Sequence, residues 1–177
     1  MAWSGIKFDK YYRIPGGVGI NEYFLKSHGY TVPGKRTENL QGITISSVPV
    51  YLTETGEKGA DLAIQNIKAL NANGQLPHFI VTRHSVWQLL DMDDCWQRSD
   101  GRTNRNTICV AITMDDGLIS WQYKITATDH AAMLVAYLLK KYRLPDSAIF
   151  ITRECPEFFK DRWKDFKAKM LTQLKKL

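Results

Sequence analysis

Three short apolar segments between residues 76 and 113 form the clearest pattern in the chain. Residues 78–82 and 85–89 are rich in β-branched and aromatic side chains and are joined by a short polar link, which predicts a β-hairpin. Residues 108–112 form a continuous apolar run, as expected of a strand that is covered on both faces. The intervening residues 91–106 are almost all polar and contain turn formers, so they predict a loop.

Strand and helix patterns alternate along the rest of the chain. Residues 43–47 predict a strand, and residues 59–70 predict a helix because their apolar side chains recur at i, i+3, i+4 and i+7. Residues 118–125 alternate loosely between apolar and polar positions, which favours another strand. A helix that begins at a capping Thr or Asp is then expected over residues 128–142.

The C-terminal part of the chain predicts one more strand and one more helix. Residues 149–152 predict the strand, and residues 158–177 predict a basic amphipathic helix. Docking of this helix on the sheet is favoured over contact with a membrane surface or a nucleic acid. Because strands alternate with helices while one hairpin intervenes, the sequence predicts an α/β fold: a single domain with a central mixed β-sheet flanked by helices.

The N-terminal segment, residues 1–40, is aromatic and punctuated by glycine and proline, without a clear period. It predicts an N-terminal wrap on the domain formed by residues 41–177, rather than a second domain. Within the wrap, residues 21–28 are expected to form one short helix that ends at Gly29.

Composition narrows the functional classes. The 177 residues suit one domain with a sizeable core. The sequence contains no apolar run of about 18 or more residues, so it predicts no membrane span. The N-terminus lacks the apolar core of a signal peptide, so the protein is expected to be cytoplasmic as synthesised, with another system releasing it to any cell-wall target. The formal charge of +6 favours an anionic partner, nucleic acid or cell-wall polymer, although simple solubility explains it equally well.

The three cysteines, Cys95, Cys109 and Cys155, form no CxxC pair. This argues against a disulfide scaffold and suits a reducing compartment. Cys109 lies in the predicted buried strand, where we expect it to act as a small hydrophobe.

Several strings, taken in order, resemble the zinc-dependent N-acetylmuramoyl-L-alanine amidases, a family that includes peptidoglycan recognition proteins and phage endolysins. The resemblance covers roughly residues 41–168 and depends on the order and spacing of the strings. The strings are ITISSVP at 43–49, PHFIV at 77–81, TNRNTICVAI at 103–112, DHAAMLVAYLLKKYRLP at 129–145 and RECP at 153–156.

The resemblance implies a reaction and a set of site positions. In the family, zinc held by three protein ligands activates a water that cleaves the amide between the muramic acid lactyl group and L-alanine. Aligned on the strings, Ser46 stands where the family has its first zinc-binding histidine, and Ala111 stands where many members have a proton-transferring Glu or Tyr. The second histidine has no counterpart, because no histidine follows His130. Cys155 is then the only surviving ligand position, and Arg153 replaces the lysine that stabilises the oxyanion.

A rebuilt metal site would need other residues. A site from Cys95, Cys155 and a nearby histidine is conceivable, although no spacing supports it. His78 matches a scaffold histidine of the family, and we expect it to be a hydrogen-bonded core residue.

Three functions therefore stand as hypotheses. The first is a pseudo-amidase that binds peptidoglycan fragments without a cofactor, and its expected contacts are Ser46, Trp87, Trp96, Arg98 and Arg153. The second is an active N-acetylmuramoyl-L-alanine amidase that binds zinc through a rebuilt site. The third is a regulatory pseudoenzyme that binds another protein. Nucleic-acid binding is disfavoured, because basic residues are scattered except in the last helix and no nucleic-acid motif is present.

Overall fold

A seven-stranded mixed β-sheet forms the centre of the molecule. The computed structural model describes residues 9–48, 75–83, 85–98, 102–114, 121–153 and 155–177. The sheet order is β1-β2-β5-β4-β8-β3-β9, and a separate two-stranded ribbon contains β6 and β7. The strands are β1 (Lys10–Arg13), β2 (Gly19–Glu22), β3 (Gly42–Val48), β4 (Phe79–Val81), β5 (Val86–Gln88), β6 (Trp96–Gln97), β7 (Thr103–Asn104), β8 (Thr107–Thr113) and β9 (Ile149–Ile151).

Parallel pairing at the centre confirms the predicted mixed sheet. Strand β8 pairs in parallel with both β3 and β4, and β3 pairs in parallel with β9. The predicted hairpin is present as the antiparallel pair of β4 and β5. All seven residues of β8 are buried, as its continuous apolar run predicts.

Alternation along β3 and β8 separates the sheet into two faces. The face that we call the helix face carries the main apolar cluster, to which Ile43, Ile45 and Val110 belong. The other face, which we call the cavity face, carries Ser46 and Cys109, whose side chains contact one another.

Helix α1 (Trp121–Tyr142) is longer than the sequence predicts. Residues 121–125 are helical, so the predicted strand is wrong there, while residues 115–120 lie outside the described part of the chain. Thr128 is not a cap but lies inside the helix, where its hydroxyl donates to the carbonyl of Lys124. The loose alternation of residues 118–125 was taken for a strand pattern. In the structure, buried Ala127 and Ala131 continue the helical spacing of the later apolar residues toward the N-terminus of the helix.

The C-terminal segment packs on α1. It forms two helices, α2 (Glu157–Asp161) and α3 (Trp163–Leu174), so the single predicted helix is interrupted at Arg162. Phe166 and Met170 are buried in the main cluster, which confirms that the apolar face of the C-terminal segment is docked. The principal neighbour of α3 is the helix α1 and not the sheet, as the prediction had it. None of the helices in the described residues is long and apolar enough to cross a membrane.

The predicted N-terminal wrap contributes the strands β1 and β2 to the sheet. Residues 21 and 22 belong to β2, so only Leu25–His28 forms a helical turn, of the 3-10 type, where a longer helix was predicted. Pairing with β5, which sets Asn21 opposite Trp87, overrides the local helical preference. The predicted helix at 59–70 lies outside the described residues.

The predicted loop at 91–106 contains the short antiparallel ribbon of β6 and β7. This corrects the prediction, since two residues of each strand are paired within a stretch whose composition is polar.

His78 anchors this region to the sheet. Its Nδ1 accepts the backbone N–H of Cys109 at 3.0 Å, and its Nε2–H donates to the carbonyl of Asp94 at 2.9 Å. The expectation of a hydrogen-bonded core histidine is confirmed.

Complete burial lowers the pKa of His78 to about 3, from 6.5 in an exposed histidine. The folded protein therefore holds the ring neutral at pH values where the unfolded chain takes up a proton. We expect the contribution of His78 to stability to be complete above about pH 6.5 and to be lost progressively toward pH 3, by up to about 1.4 kcal/mol per pH unit. Chemical denaturation of the wild type and of His78→Asn between pH 7 and pH 4 measures this slope, since the amide does not titrate. Equal pH slopes in the two proteins would contradict the assignment.

Candidate functional site

A small cavity opens on the cavity face, at the ends of β3 and β8. Its floor contains Ser46 and Cys109, and the Ser46 Oγ lies 3.2 Å from the Cys109 Sγ. The cavity has a volume of about 30 Å3, which leaves room for a few water molecules at most. Its other lining residues are Ser47, Val48, Gln75, Pro77, Trp96, Gln97, Arg98 and Thr152.

Strand register explains why these two side chains meet. Ser46 pairs with Ala111 across β3 and β8, and Cys109 precedes Ala111 by two residues, so Cys109 is on the same face. Cys109 is buried, as expected of a small core hydrophobe, but it also lines the cavity, which was not predicted. The sequence contained a signal for this position. Because side chains alternate along a strand, assigning Ala111 to the site also places Cys109 on the side of the strand that faces the site.

A wider groove of about 520 Å3 adjoins the cavity. The two share Trp96, Arg98 and Thr152 in their walls. Most of the groove is polar, but Phe150 of the edge strand β9 is half exposed there. Its remaining lining residues are Gln41, Thr44, Asn104, Asn106, Thr107, Ile151 and Arg153.

A chain of hydrogen bonds fixes the wall that separates the cavity from the groove. The indole N–H of Trp96 donates to Thr107 Oγ1 at 3.1 Å, and Thr107 Oγ1 lies 2.8 Å from Thr44 Oγ1. Trp96 is 4% exposed, so it presents only an edge to a ligand. The polar wall is therefore set by folding, before any ligand binds.

The structure brings together most of the residues expected to bind a ligand. Ser46, Trp96, Arg98 and Arg153 line the cavity or the groove. Trp87 does not, which corrects the prediction for that residue. Trp87 is 2% exposed and belongs to a core cluster, because its strand β5 is enclosed between β2 and β4. Its indole N–H donates to Ser85 Oγ.

Cys155, which the resemblance aligns with a zinc ligand, is buried. Its thiol points at the carbonyl of Ile45, 3.6 Å away, and it belongs to the main apolar cluster. The cavity lining includes Cys109 but not Cys155. Burial raises the pKa of the Cys109 thiol to about 12, although the hydrogen bond with Ser46 acts in the opposite direction. Burial also raises the pKa of Cys95.

The donor atoms described at the cavity do not match the set that zinc takes in proteins. Zinc prefers thiolate, imidazole and carboxylate ligands, whereas the cavity offers hydroxyl groups, amide side chains and the single thiol of Cys109. Within the described ranges, no group of three or more His, Cys, Asp or Glu side chains is placed to hold a metal ion. His28, His78 and His130, the histidines that the structure describes, do not line the cavity.

Solved structures that include an endolysin and an N-acetylmuramoyl-L-alanine amidase share this fold. A mutant endolysin from Bacillus subtilis matches 86% of this chain and 99% of its own, with a TM-score of 0.66 and 22% identity. The catalytic domain of XlyA matches the same shares at a TM-score of 0.65 and 20% identity. The N-acetylmuramoyl-L-alanine amidase LysC from Clostridium intestinale matches 86% of this chain and 97% of its own, at 0.52 and 15%.

The fold is that of the N-acetylmuramoyl-L-alanine amidases. The predicted resemblance and the predicted fold class, a single domain with a central mixed sheet flanked by helices, are thereby confirmed. At these identities the likeness concerns the amidase fold and not the chemistry of its site. No family model and no curated protein matches the sequence.

All three cysteines are free and buried, and this predicts low thiol reactivity. A thiol with a raised pKa forms little of the reactive thiolate at neutral pH. In the folded protein we expect every thiol to react with an aromatic disulfide reagent at least about a hundredfold more slowly than free cysteine. Three thiols should react quickly in denaturant, and one fewer in Cys109→Ser, which is the control for counting. A fast-reacting thiol in the native protein would contradict this description of the cavity.

Proposed function

We propose that this amidase-fold chain binds peptidoglycan fragments in the groove and does not carry out zinc-dependent hydrolysis. The observation that carries the proposal is that the groove adjoins the cavity, with Trp96, Arg98 and Thr152 in the walls of both. A ligand in the groove would have one end beside the cavity that contains Ser46, where the resemblance assigns the first zinc-binding position.

Two positions support the loss of hydrolysis. The hydroxyl of Ser46 is a poor zinc ligand compared with imidazole or thiolate, and it is already hydrogen-bonded to Cys109. The methyl group of Ala111 cannot move a proton, so no general base stands at the position that the resemblance assigns to one. No cofactor is therefore included in the proposed function.

The lining of the groove supports a muropeptide as the ligand. Muropeptides carry free carboxylates on their peptide stems, and Arg98 and Arg153 supply guanidinium groups that can hold a carboxylate through two parallel hydrogen bonds. Asn104, Asn106 and Gln41 supply amides of both polarities for peptide and N-acetyl groups. A volume of about 520 Å3 lies within the usual range for small-ligand sites.

Retention on purified peptidoglycan at low salt tests the proposal. We expect the wild type to bind, and Arg98→Gln and Arg153→Gln each to weaken binding roughly tenfold, because each removes a charge-assisted contact. Arg143→Gln is the matched control, since Arg143 is exposed after α1 and lines neither the cavity nor the groove. A chelator should leave binding unchanged.

The alternatives give different results in the same preparation. About one zinc per chain, with new amino termini on L-alanine after digestion, would identify an active amidase with a rebuilt site. Absence of both binding and hydrolysis would remove peptidoglycan as the ligand and leave a protein partner as the remaining hypothesis.

A further inference from the structure

A second cavity of about 690 Å3 lies at the other edge of the sheet, between the β1–β2 hairpin and helix α1. None of the described residues that line it belongs to the groove or to the small cavity. The peptidoglycan binding proposed above makes no use of it. Its lining residues are Tyr11, Arg13, Gly16, Gly17, Val18, Gly19, Asn21, Ser85, His130 and Met133.

The hairpin presents Tyr11 as a supported aromatic surface. A side chain at Gly19 would lie 2.5 Å from the Tyr11 hydroxyl, so the ring rests directly on the glycine backbone. The preceding turn has Gly16 and Gly17 at φ +101° and +90°, a conformation that side chains disfavour. Tyr11 remains 48% exposed, so an aromatic surface fixed on one side is available to a ligand.

Two hydrogen-bond acceptors are available in the same cavity. Asn21 is 6% exposed and donates its Nδ2 to the carbonyl of Val86, while its Oδ1 has no hydrogen-bond partner among the described residues. The Nδ1 of His130 lies 3.2 Å from the carbonyl of Thr82, which can only accept, so this nitrogen carries the proton. In the neutral ring, the Nε2 of His130 is then an acceptor.

Arg13 adds a positive charge at the rim. Its Nε donates to the Tyr11 hydroxyl at 3.2 Å, which holds the guanidinium beside the ring. The two terminal nitrogens make no hydrogen bond or ion pair with the residues that the structure describes. They can therefore receive a carboxylate through two parallel hydrogen bonds.

We propose that this cavity is a binding site for an acidic saccharide, a pyranose that carries a carboxylate. The apolar face of the sugar ring stacks on Tyr11, and the carboxylate binds Arg13. Ring hydroxyls or an amide N–H donate to Asn21 Oδ1 and His130 Nε2. The volume exceeds that of one sugar ring and lies in the range of small-ligand sites.

Titration of the full chain, by calorimetry and by amide NMR, tests the site. The probes are N-acetylmuramic acid, glucuronic acid and the neutral N-acetylglucosamine. We expect the acidic sugars to bind more tightly than the neutral one and to shift the amide signals of Gly16, Gly17 and Gly19. Binding of both acids indicates a general acidic-saccharide site, whereas binding of N-acetylmuramic acid alone indicates a cell-wall source, and either result supports the proposal.

Matched variants locate the binding. Arg13→Gln should weaken acidic-sugar binding roughly tenfold or more, because it removes a charge-assisted contact. Lys10→Gln, which removes an equal charge from the same strand but lies outside the cavity, should stay within about twofold of the wild type. Arg153→Gln should also leave this binding unchanged, which separates the site from the groove.

Three results would overturn the proposal: no binding of either acid at millimolar concentration, equal binding of acidic and neutral sugars, or equal affinity of wild type and Arg13→Gln. Because Arg13 is exposed, its replacement is not expected to prevent folding.

Discussion

The parallel pairing of β3 with β8 is the constraint on which the rest of the structure depends. It runs in one register from Gly42 opposite Thr107 to Val48 opposite Thr113. Because side chains alternate along both strands, this register assigns every residue of the pair to the helix face or to the cavity face. A slip by one residue would exchange the two sets and would place Ser46 and Cys109 among the apolar side chains under α1. The main core and the candidate site therefore depend on the same backbone hydrogen bonds.

His78 couples the loop around the cavity to that register. Its ring is bonded to the backbone of Cys109 on one side and of Asp94 on the other. Asp94 directly precedes Cys95 and Trp96, and Trp96 forms the wall between cavity and groove. Proton uptake by His78 would remove the acceptor for the Cys109 N–H, at the strand that forms the cavity floor. Acid should therefore loosen the wall and the floor together.

Sequence predicted the elements with strong local signals and missed those decided by contacts distant in the chain. The apolar run of β8 and the hairpin of β4 and β5 have the expected type and nearly the expected bounds. The strand β2 was missed because its pairing with β5 is long-range and residues 21–28 have a helical pattern of their own. For the site, the expected contacts Ser46, Arg98 and Arg153 line the cavity or the groove, whereas the burial of Trp87 depends on packing that no local pattern encodes.

The separation of the two faces explains how an amidase fold can persist while its site chemistry changes. Burial of a large apolar side chain stabilises a protein by about 1.5–3 kcal/mol. Most of the large apolar side chains that are buried among the described residues belong to the cluster on the helix face. Ser46 and Ala111 are small, and they project from the opposite face of the same strands. Substitutions at these two positions would leave the helix-face packing and the β3–β8 hydrogen bonds in place. The fold is therefore weak evidence for hydrolysis, and the side chains on the cavity face must decide what the protein does.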